Sequence, residues 1–303
     1  MSQLTDFQRN ITAFLPEIEL RFNEPMSQHT SFRIGGNAEV MAFPKTKEEL
    51  SDLLKTSALM DVKPVILGAG TNVLAPDAGM SGLVICLKDC LDFMEQTDAT
   101  HIRVAAGVSM ARCATYAANL SLSGLEFAHG IPGSVGGGVY MNAGAYGGEI
   151  CDVCTQVEVM DMAGDLHIYS AEEMDFSYRH SRIEESGGIV VSATFALTPA
   201  PEEEIRAKMQ DFMARRRKSQ PLDLPSAGSA FKRPVGGYAA ALIDEAGLKG
   251  YRVGDAAVSE KHAGFVVNLG GATAGDVRKL LQDVAEKVME KSGILIEPEV
   301  RIW

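Results

Sequence analysis

Arg179, Ser229 and Glu299 are the polar residues of this 303-residue chain whose settings suit chemistry, and two glycine-rich segments accompany them. Arg179 lies in F-S-Y-R-H-S-R (176–182), among aromatic and hydroxyl side chains rather than in a run of solvated charge. A guanidinium is always charged and grips a carboxylate with two donors, although a structural ion pair uses the same residue type. Ser229 lies in a turn-like A-G-S-A, followed by Phe231, Lys232 and Arg233. Serine is a feeble acid in water and alone reads as a turn hydroxyl. Neither G-x-S-x-G nor a triad surrounds it, which argues against a hydrolase. Glu297 and Glu299 flank Pro298; residues two apart share a face of a strand, yet proline can alter that, and both also suit an ordinary strand edge.

The glycine segments suggest a ligand. Gly130 to Ile150 reads G-I-P-G-S-V-G-G-G-V-Y-M-N-A-G-A-Y-G-G-E-I, with no charged residue before Glu149. Glycine at this density destabilises helices and strands, so the segment is expected to be loop whose backbone must lie bare. Positive φ angles and N–H groups aimed at anionic oxygens are the usual needs. Pro132 and the scarcity of branched aliphatics exclude a membrane span, and a plain surface loop is the simpler alternative. Upstream, Val65-Ile66-Leu67 reads as a buried strand running into Gly68-Ala69-Gly70-Thr71-Asn72, then Val73 and Leu74. No third glycine or helix start follows, so the dinucleotide fingerprint is not met. Together the two segments suggest loops gripping one extended, phosphate-bearing ligand.

These segments resemble the flavin-binding half of the UDP-N-acetylenolpyruvoylglucosamine reductase family. T-S-F-R-I-G-G (30–36), F-S-Y-R-H-S-R (176–182), S-A-G-S-A-F-K-R-P (226–234) and E-P-E-V-R (297–301) extend the resemblance from Thr30 to Arg301. It implies an α+β fold: a two-lobed FAD-binding domain of the PCMH type and a smaller α+β substrate-binding domain. The FAD domain is expected over 1–198, with a C-terminal strand (294–303) returning to it, and the substrate domain over 199–293. The resemblance implies FAD held non-covalently by Gly68, Ala69, Gly70, Thr71, Asn72, Val73, Leu74, Gly130, Pro132, Gly133, Ser134, Gly137, Asn142, Ala143 and Gly144. His129 precedes the stretch and offers a covalent attachment point, which the resembling reductases do not use.

The reaction implied is reduction of UDP-N-acetylenolpyruvoylglucosamine to UDP-N-acetylmuramate with NADPH. It serves peptidoglycan precursor synthesis, and with it cell wall biogenesis, cell shape and division. NADPH reduces FAD; hydride then passes to C3 of the enol ether and a proton to C2. By resemblance Arg179 polarises the enolpyruvyl carboxylate, Ser229 gives the proton and Glu299 acts with Arg179. A neutral hydroxyl donor avoids burying a charge, and a glutamate facing a carboxylate has reason to hold a proton, because two anions repel. Tyr178 is a packing surface for flavin or substrate. No inserted tyrosine-bearing loop follows, as in the shorter (type II) variant. Another flavin oxidase on the same scaffold, or a binding protein without turnover, remain the rival readings.

Composition agrees with a globular chain of two or three lobes: hydrophobic content is 46 % and mean hydropathy is +0.02. A net charge of −12 argues against nucleic acid, since phosphate backbones need a positive surface. The N-terminus lacks a secretory apolar segment and no membrane helix is expected, so the chain reads as cytoplasmic; a monomer is expected. Arg215-Arg216-Arg217-Lys218 reads as a solvated helix end, or as a run that steers a pyrophosphate. Five cysteines, with one C-x-x-C at Cys151 and Cys154 and no second pair, read as structural, without a metal. His262 reads as a loop holder or a substrate contact.

The elements that must position these residues follow from pattern. Helices are expected from Leu4 to Phe14, from a Thr46-Lys47-Glu48-Glu49 capping box to Leu59, and from Ser109 to Leu120. Others should cover Glu202–Lys218, Tyr238–Ala246 and, capped by Thr273 and Asp276, the chain to Lys291. Strands are expected at 39–43, 65–67, 83–87, 101–105, 153–160, 166–169, 189–197, 294–296 and 300–303. Pro199-Ala200-Pro201 marks a composition break.

Overall fold

The computed structural model describes residues 4–303 and divides into two compact units. Unit 1 holds the chain up to Phe22, Glu39–Ala69 and Gly82–Ala214; unit 2 holds Asn23–Ala38, Gly70–Ser81 and Arg215–Trp303. Each has its own apolar core, as expected of a domain. The main boundary falls after Ala214, inside the helix Glu202–Ser219, and not at the proline pair near 199. The C-terminal residues stay with unit 2, where Arg301 and Ile302 pair in parallel with Val73 and Leu74.

In unit 1 an antiparallel sheet runs in the order Leu166–Ser170, Cys154–Met160, Ile189–Ala196, His101–Ala105, Met94–Gln96. Its middle strand, I-V-V-S-A-T-F-A, is β-branched and aromatic and almost wholly buried. A second sheet joins Glu19–Pro25, Asn37–Phe43, Met80–Cys86 and Val65–Leu67, the last two parallel. The helix Met110–Asn119 buries Met110, Cys113, Ala114, Ala117 and Ala118, one face at helical spacing, and Ser109 caps it by accepting from Arg112 N. Lys47–Leu59 buries Leu50, Leu53 and Leu54. Its Thr46 cap forms, but Glu49 bonds Lys45 N rather than closing the box on Thr46.

Unit 2 contains a four-stranded antiparallel sheet in the order Ser226–Ser229, Phe265–Asn268, Ala256–Val258, Arg252–Val253. The helix Ala274–Ser292 presents Val277, Leu280, Leu281, Val284 and Val288 to its core. Thr273 and Asp276 form the complete reciprocal cap at its start, and Gly293, at φ 71°, ends it. Asn268, 3 % exposed, ties the unit together: Nδ2 donates to Phe32 O at 3.0 Å, while Oδ1 accepts from Gly270 N and Ala272 N.

Two expectations need correction: Val135–Tyr140 is a helix within the glycine stretch, and residues 294–296 form no strand. Glu19–Pro25 is a further strand. Asn268→Ala strands a buried donor, Ala272 N, and a buried acceptor, Phe32 O, so it should cost about 2 kcal/mol and lower the melting temperature. An unchanged thermal melt would show those bonds to be replaceable.

Candidate active site

The two glycine segments meet in unit 1. A Cβ built on Gly68 would stand 3.0 Å from Ser134 Oγ. Ser134 is 2 % exposed and caps the helix Val135–Tyr140, its Oγ accepting from Gly137 N. Packing accounts for part of the glycine. A Cβ on Gly136 would meet Ala106 Cβ at 2.9 Å, and one on Gly138 would meet Met110 Sδ at 2.7 Å. Gly137 differs: it is exposed, and only Ser134 Oγ, at 3.6 Å, approaches its Cβ position. In the preceding turn, Glu126–Gly130, His129 Nδ1 is buried without a hydrogen-bond partner. Bare backbone at Gly68 and Gly137, with an orphaned ring nitrogen in the adjoining turn, fits a cofactor with polar atoms.

The remaining cofactor candidates divide by what occupies them. Gly130, Gly133 and Ala69 are half-buried and Pro132 is exposed. Ala143 and Gly144 are taken up locally: Ala143 N bonds Gly138 O, and Gly144 pairs with Glu149. Asn142 is 1 % exposed and its side chain is spent inside the protein, on Glu149, Ser177 and Cys151. Gly70, Thr71, Asn72, Val73 and Leu74 belong to unit 2. Gly70 has φ +63° and its Cβ would fall 2.0 Å from His29 O, so only glycine fits. Leu74 is a core residue.

Arg179 occupies the corner of a tight hairpin in unit 1. Ser177 and His180 exchange both backbone bonds at 3.2 Å, which leaves Tyr178 and Arg179 as the turn. Arg179 has φ 57°, a region that favours glycine or asparagine, so the turn is held against its residue preference. Its guanidinium lies 5.2 Å from the Tyr178 ring centroid. Ser181, wholly buried, donates to Tyr140 O at 2.8 Å and fixes the turn to the glycine stretch.

Ser229 and Glu299 are brought together in unit 2. The strand Ser226–Ser229 is irregular against Phe265–Asn268, and Gly228 there has φ +77° with open space at its Cβ position. Such a bulge re-aims the residue that follows, and Ser229 is exposed. Ala230 N donates to Gly264 O and Ala230 O accepts from Glu299 N, both at 2.8 Å. Lys232 N donates to Glu297 O at 2.9 Å, so 229–232 runs beside 297–299. Asn72 completes the junction: Nδ2 donates to Glu299 O at 3.3 Å, and its carbonyl accepts from Arg301 N. Ser31 Oγ donates to Ser226 O at 2.6 Å, holding the serine strand from the other end. The structure thus runs the backbone of Ser229–Lys232 alongside that of Glu297–Glu299.

Comparison with known proteins agrees with this geometry. A family model described as "FAD binding domain" matches residues 38–170, and "UDP-N-acetylenolpyruvoylglucosamine reductase, C-terminal domain" matches 220–303. The UDP-N-acetylenolpyruvoylglucosamine reductase of Agathobacter rectalis is 48 % identical over 307 residues, covering 98 % of each chain. That of Caldanaerobacter subterraneus is 46 % identical over 288 residues, 95 % of each. The chain belongs to the UDP-N-acetylenolpyruvoylglucosamine reductase family. The crystal structure of the Thermus caldophilus reductase superposes with a TM-score of 0.78 at 38 % identity, covering 95 % of this chain and 99 % of that one.

Other residues singled out in this reductase settle into supporting places. His262 Nδ1 accepts from Gly264 N at 3.1 Å and its ring meets Phe265 edge-on, so it holds the loop beside Ala230. Burial lowers its pKa. Arg216 is buried at 8 % exposure, so the basic run is not uniformly solvated. Sequence reasoning missed Ser31, Ser181 and Asn268 as positioning residues. The motifs of Ser31 and Ser181 were visible, but Ser226, Tyr140 and, for Asn268, Phe32 lie far away in sequence.

All five cysteines are free. Burial pushes the Cys90 thiol up to about 11 and the Cys113 and Cys154 thiols up to about 12; Cys86 and Cys151 are raised too. At pH 8 a thiol of pKa 11 is about one part in 10³ thiolate, and one of pKa 12 about one in 10⁴. A thiol reagent at pH 8 should therefore modify at most the half-buried Cys151 within minutes, and all five after denaturation. Rapid modification of two or more in the native protein would contradict this packing.

Proposed function

We infer that this chain is the NADPH-dependent flavoprotein oxidoreductase that reduces UDP-N-acetylenolpyruvoylglucosamine to UDP-N-acetylmuramate in peptidoglycan precursor synthesis. The observation that carries this reading is the Ser229–Ala230–Glu299 junction, where main-chain bonds hold the segment that bears the serine alongside the segment that bears the glutamate. Bound FAD supplies the two-electron relay between NADPH and the enol ether. The chain's residues do the rest. Gly68, Gly137 and the backbone around Gly130–Ser134 bear on the cofactor, and the His129 ring supplies a polar contact beside them. Arg179 grips the enolpyruvyl carboxylate, where two guanidinium donors stabilise the charge that develops as C2 becomes basic.

Ser229 Oγ–H gives its proton to C2 and regains one from solvent, while hydride arrives at C3. Glu299 shares the carboxylate's environment with Arg179. Among the described residues no helix is long and apolar enough to cross a membrane. A cytoplasmic monomer is the setting that follows from this reading.

The test is product formation. Purified protein with FAD, NADPH and UDP-N-acetylenolpyruvoylglucosamine should yield a sugar nucleotide heavier by two hydrogens, with one NADPH consumed per product. NADPH oxidation with no change in the sugar's mass would point to another flavin oxidase on this scaffold. Ser229→Ala should keep flavin reduction by NADPH and lose sugar reduction by about 10²–10⁴-fold, the range a positioned general acid supplies. Equal loss of both would show that Ser229 has another role.

A further inference from the structure

The conformation of Arg179 needs an explanation that its own residue type does not give. A non-glycine residue at φ 57° persists only where surrounding structure over-determines it. Two side chains reach the Ser177–His180 turn from the glycine stretch or into it. Asn142 Nδ2 donates to Ser177 O at 3.1 Å and to Glu149 Oε2 at 2.9 Å, with Cys151 Sγ at 3.5 Å. Asn142 Oδ1 accepts from Cys151 N at 2.9 Å. Acceptors on one side and a donor on the other leave the amide a single orientation. Asn142 itself has φ 40°, which asparagine tolerates better than most residues. Ser181 Oγ, just past the turn, donates to Tyr140 O, two residues before Asn142. The turn is thus bonded at both ends to the segment 140–142.

We propose that Asn142 and Ser181 are positioning residues for the reduction of the sugar: together they clamp the Ser177–His180 turn and fix the direction of the Arg179 guanidinium. The proposal rests on the reading that Arg179 grips the substrate carboxylate. It gives the buried Asn142 side chain a task other than touching the cofactor, since both ends of its amide are spent within the protein. A guanidinium swung by about 1 Å loses bidentate alignment, and misplacement of that size costs about 10²-fold in rate.

The experiment uses FAD-loaded protein under anaerobic stopped flow, with reduction by NADPH and reoxidation by UDP-N-acetylenolpyruvoylglucosamine followed separately. Asn142→Gly keeps the positive φ and removes only the side-chain bonds; Ser181→Ala removes one hydroxyl. Reduction by NADPH should stay within about threefold of wild type in Ser181→Ala, as a clamp on the turn implies. Reoxidation at saturating substrate should fall about 10²-fold in Asn142→Gly and about tenfold in Ser181→Ala. Asn142→Gly combined with Arg179→Ala should be no slower than Arg179→Ala alone, because residues acting as one unit are not additive. Near-normal reoxidation in both variants, losses that multiply in the double variant, or equal loss of both half-reactions in Ser181→Ala would each overturn the proposal. If Asn142→Gly does not hold FAD, Ser181→Ala decides on the same criteria. Wild-type reoxidation in Arg179→Ala would overturn the reading of Arg179, and the clamp with it.

Discussion

Ala230 uses both of its backbone polar groups to join three segments, donating to Gly264 O and accepting from Glu299 N. At 1 % exposure it has no water to fall back on, so neither bond can open without leaving a buried peptide group unpaired. Ser229 precedes it and Glu299 hangs from it. The Asn72 side chain and carbonyl then bind the same C-terminal segment, which ties the end of the first glycine loop to the backbone that carries the Glu299 side chain. Main-chain bonds of this kind hold the base of a neighbouring side chain more firmly than loop packing does.

The glycine stretch obeys two constraints at once. Gly136 and Gly138 let a short helix settle against Ala106 and Met110, which is close packing and not ligand binding. Gly137 faces outward between them, and Gly68 abuts the Ser134 hydroxyl. The same stretch also carries Asn142, whose amide reaches the arginine turn. Bare glycine backbone and the bonds to the Ser177–His180 turn therefore lie on one continuous segment of unit 1.

Local signals were legible in the sequence. The Ser109 and Thr273 caps, the one-sided burial of Met110–Asn119 and Ala274–Ser292, and the strand leading to Gly68 all depend on neighbours in the chain. The family and its three catalytic candidates followed from ordered motifs. What stayed hidden depends on distant partners. Glycine's poor propensity argued against a helix at Val135–Tyr140, yet close contact with Ala106 and Met110 overrides it. Arg216 sits in a charge run that reads as solvated, and burial makes it an exception. The unit boundary after Ala214 lies inside a helix, where composition does not change. Asn142 carried a motif signal for the cofactor, while its hydrogen bonds point to the Arg179 turn.

Reduction of the enolpyruvyl sugar requires a flavin that takes electrons from NADPH and passes them on. The most direct measurement is the absorbance of the oxidised flavin band in anaerobic protein through two successive additions. NADPH should bleach the band, and UDP-N-acetylenolpyruvoylglucosamine, added after NADPH is exhausted, should restore it. Bleaching that the sugar does not reverse, or protein that takes up no flavin on reconstitution with FAD, would contradict that relay.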